Sequence, residues 1–333
     1  IIKRNILVFV IFLVSILFLK NNSNFVETYY SNLLYEKLSF IKNIIFDLTD
    51  LAIGEILYLA FICSIIYFLF KKKISINYTI SSILIILCFF YISWGMNYFR
   101  LPLSIYISED VIESEKKIES LARFISTKCN KLKNEINSKK NNNKDNLNSY
   151  KNIIETENQK FKYSNFSVIL SYMGIKGYYN PFTNEANINS NIPVILIPVT
   201  IYHELAHKKG FASESDANFI GFLNAYNNYN KEIQYSATFF AFKYLYYDLY
   251  KINPIIAKDI YENLSSEVKN DFEIVSNFWT YYSNGFQIIQ KNAFDFFLKA
   301  QGQKKGINSY NEVVKFLLYT FDGKNKFIFD ENN

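Results

Sequence analysis

The chain has 333 residues, half of them hydrophobic, and a formal net charge of +6 from 36 Lys and Arg against 30 Asp and Glu. That leaves room for one substantial core plus membrane segments, and without a basic stripe, a zinc-finger spacing or a phosphate-cradling glycine loop it excludes nucleic acid as a partner. Three unclustered cysteines, Cys63, Cys88 and Cys129, exclude a disulfide framework.

The amino-terminal third reads as a membrane region, residues 1–100, with three expected transmembrane helices at about 4–20, 51–70 and 78–97. Ile6 to Leu19 is almost wholly apolar behind Lys3 and Arg4. Lys20-Asn21-Asn22 offers no small-residue cleavage site, so an uncleaved anchor is expected rather than a signal peptide. The loop from Asn21 to Asp50 places Phe40, Ile41, Ile44, Ile45, Phe46 and Leu48 at helical spacing, which suits either a helix lying along the membrane interface or an ordinary packed one. Leu51 to Phe70 is interrupted only by Glu55, and Lys71, Lys72 and Lys73 separate it from the next apolar run. Basic flanks stay cytoplasmic, so Lys3, Arg4 and Lys71 to Lys73 place the remaining 101–333 outside. The expected location is the cell membrane, multi-pass, with the bilayer as a partner and an extracytoplasmic carboxy-terminal domain.

From Ile105 to about Lys162 the chain is charged and poor in aromatics, with a Lys/Asn tract at about 137–150 expected to be a solvated loop or a gap in a helical hairpin. Gly177 to Pro198 is punctuated by Gly and Pro, and its apolar run Ile192 to Ile197 is expected to be a strand or extended segment beside the next helix. Such an edge can pair with an extended peptide by strand addition, and Glu185 and Asn187 could line a cleft there or equally close a turn.

The only two histidines follow, in Tyr202-His203-Glu204-Leu205-Ala206-His207. Side chains at i and i+4 lie one turn apart on one face, so both imidazoles can share an ion while Glu204 reaches a water beside it. Pro198 marks the helix entry and Gly210, after Lys208 and Lys209, its stop, giving a helix of about three turns. A catalytic zinc takes three protein ligands, and with no histidine left the third is a carboxylate or a cysteine; Cys63 and Cys88 fall in apolar segments far upstream and Cys129 stands alone in a lysine-rich stretch, which favours a carboxylate. Glu214 ranks first: it opens Glu214-Ser215-Asp216-Ala217-Asn218, which puts Asn218 one turn on and able to orient it. The break at Gly210, with Ser213 capping the next helix, lets the chain fold back; in one unbroken helix Glu214 would lie about 10 Å along the axis from His207. Asp216 and, more distantly, Glu232 are the alternatives. The metzincin pattern fails at Ser213, where a third histidine would stand, and both methionines, Met96 and Met173, precede the motif.

The carboxy-terminal half reads as helices rich in Tyr and Phe, among them Tyr235 to Tyr250 and Phe278 to Leu298, whose aromatic faces suit a core.

Trp94-Gly95-Met96-Asn97-Tyr98-Phe99-Arg100-Leu101-Pro102-Leu103, Gly177-Tyr178-Tyr179-Asn180-Pro181-Phe182-Thr183-Asn184-Glu185-Ala186-Asn187 and the His203 to Asn218 segment together resemble the signatures of a bacterial membrane family, the domain-of-unknown-function 3810 family. The likeness runs on through Gln301-Gly302 and Ser309-Tyr310. It implies a three-span membrane protein with a zinc-peptidase-like domain and supplies no substrate.

The fold expected is mainly α: three membrane helices, then a helical zincin-like metallopeptidase domain with a small β element beside the active-site helix. The function expected is hydrolysis of peptide bonds in a peptide or protein substrate, with Zn2+ held by His203, His207 and Glu214 and with Glu204 as the base. Tyr235 and Arg100 are the residue types that could steady the oxyanion. The alternative is a zinc-bound, non-catalytic membrane sensor or scaffold. An intramembrane protease is disfavoured, because Ile192 to Tyr202 is too short to span and Lys208 and Lys209 follow at once.

Overall fold

A computed structural model describes residues 10, 12, 14–71, 76–106, 114–138, 146–306, 312–322 and 326–328. The chain is mainly helical with one small sheet. Residues 14–20 are helical, and the loop expected along the interface is helical throughout: Ser23–Phe25, a π-helical stretch Val26–Leu34, then α1, Tyr35–Phe46. Phe40, Ile41, Ile44 and Ile45 of α1 are exposed.

Two long apolar helices follow, α2 (Ile53–Phe70) and α3 (Ile76–Ser93). Among the described residues α2 alone is long and apolar enough to cross a membrane, where the sequence suggested three spans; much of the first expected span lies outside the described residues. The third does not run on to residue 97. Trp94 ends α3, and the chain turns by 63° into the short 3-10 segments Gly95–Phe99 and Leu103–Tyr106. An added Cβ at Gly95 would lie 2.5 Å from the Phe90 ring, so glycine permits this reversal.

The rest of the chain packs around one large core. Helices α4 (Glu115–Ser138) and α5 (Asn146–Thr156) flank the Lys/Asn tract, whose residues 139–145 lie outside the described residues. Strand β1 (Lys162–Tyr163), the short α6 (Ser167–Tyr172), β2 (Gly177–Asn180) and β3 (Glu185–Ile188) come next. The sheet order is β1-β3-β2, with β3 parallel to β1 and antiparallel to β2 in the register Tyr178↔Asn187, so β2 is an edge. The apolar run Ile192 to Ile197 is not a strand. Pro193 and Pro198 bracket it, and it winds as the 3-10 turn Val194–Leu196 directly into α7, Ile197–Lys208. Then follow α8 (Glu214–Tyr226), α9 (Lys231–Ile252), α10 (Pro254–Glu262), α11 (Ser266–Tyr282), α12 (Phe286–Ala300) and α13 (Val313–Thr320). The helix expected over Phe278 to Leu298 is therefore two, broken at Ser283-Asn284-Gly285. The core of α4, α7, α8 and α9 buries Ile125, Ile201, Phe222, Phe239, Phe242 and Leu245.

Two buried carboxylates fasten α2 to the sheet. Glu185 Oε1 accepts from Ile53 N at 2.9 Å and its Oε2 from Gly54 N at 2.7 Å, which satisfies first-turn amides that would otherwise be orphaned. Lys162 Nζ pairs with Glu185 at 2.6 Å, both side chains almost fully buried, and also donates to the carbonyls of Phe46 and Leu51. In the other direction Glu55, on α2, accepts from Asn165 N at 2.7 Å, from Tyr178 Oη at 3.0 Å and from Ser164 Oγ. Glu185 is thus a structural anchor and lines no cleft. Its neighbour Asn187 is fully buried in β3, with Nδ2 turned to the Glu185 carbonyl, and lines none either. Removing one member of a buried pair strands the other charge. Glu185→Ala is expected to cost about 3–5 kcal/mol, read as a fall in the melting temperature of the detergent-solubilised chain, whereas at the exposed Arg123–Glu119 pair Glu119→Ala should cost under about 1 kcal/mol.

Candidate metal centre

The local sequence of α7 explains its use as a platform. Pro198 sits in its first turn, Ile197, Ile201 and Leu205 bury one side, and the two histidines lie on another face with Glu204 between the two. Thr200 Oγ1 bonds back to the Leu196 carbonyl. Lys208, the charged residue after the second histidine, points away to Asp47 Oδ2 at 3.3 Å and to the Lys160 carbonyl. Gly210 takes a left-handed φ of +85°, and a Cβ there would press on Asn97 and Tyr35 at 3.1 Å. That turn lets α8 run back alongside α7. Ser213 stands at the start of α8, but its hydroxyl pairs with that of Ser215 and caps no amide. The two helices touch backbone to backbone at Gly221, where a Cβ would lie 2.9 Å from His203 N and 3.0 Å from its Cα.

Folding back brings Glu214 to the histidines. His203 Nε2 is 3.1 Å from His207 Nε2 and 3.3 Å from Glu214 Oε2, and His207 Nε2 is 3.6 Å from Glu214 Oε1. A tetrahedral ion with bonds of about 2.0–2.1 Å holds its ligand atoms about 3.3–3.4 Å apart, so the two imidazole nitrogens and the Glu214 carboxylate oxygens are spaced close to what such an ion needs. His207 Nδ1 donates to the Phe211 carbonyl at 2.7 Å, which leaves Nε2 with its lone pair toward the histidine partner. Glu204 is buried one step away, its Oε2 without a hydrogen-bond partner among the described residues, and Glu214 Oε2 and His203 Nδ1 are likewise without one. Two imidazole Nε2 atoms and a carboxylate converging in a buried site, with Glu214 Oε2 lacking a hydrogen-bond partner among the described residues, fit a divalent cation of the zinc type. The donor atoms of His203, Glu204 and His207 also lie within 4.8 Å of one another, so Glu204 is within reach of the same ion.

The protonation behaviour of the ion-free cluster follows from burial and mutual charge. Burial pushes the lone Glu204 carboxyl up to about 8. Burial also lowers His203. At His207 burial pulls downward, but the Glu214 carboxylate outweighs it and holds the imidazole at about 9. Glu214 itself, against its burial, is held well below the usual carboxylate range by the His207 charge first and by the close approach of both imidazoles. Lys176, at the start of the sheet edge, is lowered to about 7 by burial and then by Lys243, with Glu204 opposing.

The other expected site residues fall elsewhere. Asp216 turns from the imidazoles and its Oδ2 accepts from Leu103 N at 3.3 Å. Asn218 is buried, but its Nδ2 has no partner among the described residues, so it does not hold the Glu214 carboxylate. Glu232 accepts from Tyr150 Oη. Tyr235 donates to Asp271 Oδ2 at 2.6 Å inside the core, and Arg100 is taken by Glu27 and the Gly210 carbonyl; neither faces the cluster. The groups that do feel its charge are Tyr98 and Tyr244, through Glu214, and Lys176, through Glu204. Gly177 packs on Glu204 itself, a Cβ there meeting Glu204 Cγ and Oε1 at 3.0 Å.

Residue-type reasoning missed Trp94. Its Nε1 donates to the His207 carbonyl at 3.0 Å and its ring stands edge-on to the His207 imidazole, 6.1 Å between centroids. Together with Arg100 on the Gly210 carbonyl, it clamps the carboxy-terminal end of α7. The Trp94 to Pro102 signature is therefore the cradle of the second histidine.

No curated protein and no solved structure matches the chain. A family model described as a protein of unknown function, DUF3810, matches residues 30–318, which takes in the cradle, the sheet and the histidine cluster, and the chain belongs to that family.

Proposed function

We propose that the chain is a membrane-anchored, zinc-dependent metallopeptidase. The observation that carries this reading is the set of donor separations, 3.1, 3.3 and 3.6 Å among His203, His207 and Glu214, with a second carboxylate, Glu204, buried beside them and an oxygen to spare. Bound there, zinc supplies Lewis acidity toward a carbonyl and a water of lowered pKa. Glu204 takes the proton from the attacking water and passes it to the departing amine. Tyr98, Tyr244 and Lys176, whose charges couple to Glu214 and Glu204, take the place of Tyr235 and Arg100 as the residues to test for steadying the carbonyl oxygen. The edge strand β2, seated on Glu204 through Gly177, offers unpaired backbone groups to an extended peptide.

For the membrane part, α2 is the clearest anchor. The basic residues before Ile6 and between α2 and α3 support a multi-pass arrangement with the zinc-binding domain on the extracytoplasmic side. The bolting of α2 to the sheet through Glu185 and Glu55 favours a second reading, a zinc-bound sensor that couples the site to the membrane helices.

One experiment tests both. The full chain, purified in detergent, is expected to carry one zinc per chain and to cleave members of a mixed peptide library. A chelator should abolish cleavage and added zinc should restore it. Zinc without cleavage leaves the sensor; absence of stoichiometric zinc removes both.

A further inference from the structure

We infer that α12 is a second membrane contact, a helix lying in the surface of the bilayer on the side of the zinc-binding domain. The inference rests on the reading of α2 and α3 as membrane-embedded and is independent of any hydrolysis. Helix α12 has an outward apolar side. Phe286, Ile289 and Phe296, at i, i+3 and i+10, share one face and are 55, 65 and 76% exposed, with Ile288 exposed beside them. Nothing else in the described residues covers that face.

What lies next to α12 identifies its occupant. At its carboxy-terminal end Phe297 meets Phe90 of α3 and Tyr98, ring centroids 6.3 and 5.9 Å apart, and Gln301 accepts from Tyr91 Oη at 2.9 Å. Lys20, which ends the first apolar helix, lays its stem against Gly302. At the other end Gln287 and Asn284 donate to the Tyr172 carbonyl of α6, and α6 follows directly on Ser164 and Asn165, which hold Glu55 in the first turn of α2. Helix α12, about 22 Å long, thus stretches between the points where α2 begins, α3 ends and the first apolar helix ends. Those three ends mark the level at which the chain leaves the bilayer. A helix strung along that level, apolar outward and continuous with Phe90 of a membrane helix, presents its face to lipid.

Spin labels test this in the full chain reconstituted into phosphatidylcholine–phosphatidylglycerol vesicles. Native Cys63, exposed on α2, reports insertion of the hairpin in a Cys88→Ser chain. Ile289→Cys and Phe296→Cys, each in a Cys63→Ser, Cys88→Ser background, report α12. Relative accessibility to oxygen and to a nickel chelate gives depth. The expected result is a deep label at Cys63 and labels at 289 and 296 about 5–10 Å below the phosphates, unchanged when Glu204→Gln is added. A deep Cys63 label with nickel-accessible labels at 289 and 296 overturns the inference while leaving the anchor and the peptidase intact. Labels at 289 and 296 shielded from both reagents overturn it in favour of a protein contact. A nickel-accessible Cys63 label removes the membrane reading and the inference with it.

Discussion

Replacing Glu204 with glutamine is expected to leave zinc bound in full while peptide hydrolysis falls about 10²–10⁴-fold, the contribution of a positioned general base. Glutamine keeps the length and volume of the side chain, so the packing of Gly177 on Glu204 Cγ is preserved. The exchange removes only the capacity to take a proton. Because Glu204 Oε2 has no hydrogen-bond partner among the described residues, no hydrogen bond described there is broken, and the variant should melt close to the parent. Metal content by elemental analysis and turnover on a peptide identified from the library decide the matter together. Zinc retained with hydrolysis lost assigns Glu204 as base; both retained would mean that the reaction uses another group, and Lys176 would then be the next side chain to replace.

The parts that depend on short-range pattern were legible from the sequence. His203 and His207 share a face by helical periodicity alone, with Glu204 beside the first, Gly210 announced the turn that its positive φ makes, and Ile53–Phe70 is unmistakably apolar. What escaped is long-range. Glu185 reads as a cleft residue until Lys162, Ile53 and Gly54 arrive around it, the last two from more than a hundred residues away. Trp94 stood in a family signature, yet its purpose depends on a bond to His207 across 113 positions. Tyr235 and Arg100 were chosen by residue type, and in the fold Asp271 and Glu27 had prior claims on them. Two misreadings had local warnings: Asn284-Gly285 is a turn dipeptide inside the supposed helix over Phe278 to Leu298, and Pro193 and Pro198 argued against a strand from Ile192 to Ile197.

Glu214→Ala is expected to weaken zinc binding by more than about 100-fold, since loss of a second-shell partner alone costs about 10–100-fold, and to abolish hydrolysis with it. Asp216→Ala, two residues away, should change zinc affinity little, because Asp216 is engaged with Leu103 N. Competition with a chromophoric chelator measures both. The contrast is informative because two carboxylates lie within reach of the imidazoles. Glu204 shares a 4.8 Å cluster with His203 and His207, but a glutamate that completes the metal shell has its charge committed to the cation and its basicity lowered, which unfits it as the base. If the Glu214→Ala chain kept its zinc, Glu204 would be the third ligand, the catalytic base would vanish from the site, and the sensor reading would take precedence over the peptidase. If instead zinc is lost on removing Glu214 and kept on converting Glu204 to glutamine, the two acids divide the work as ligand and base, the arrangement on which hydrolysis depends.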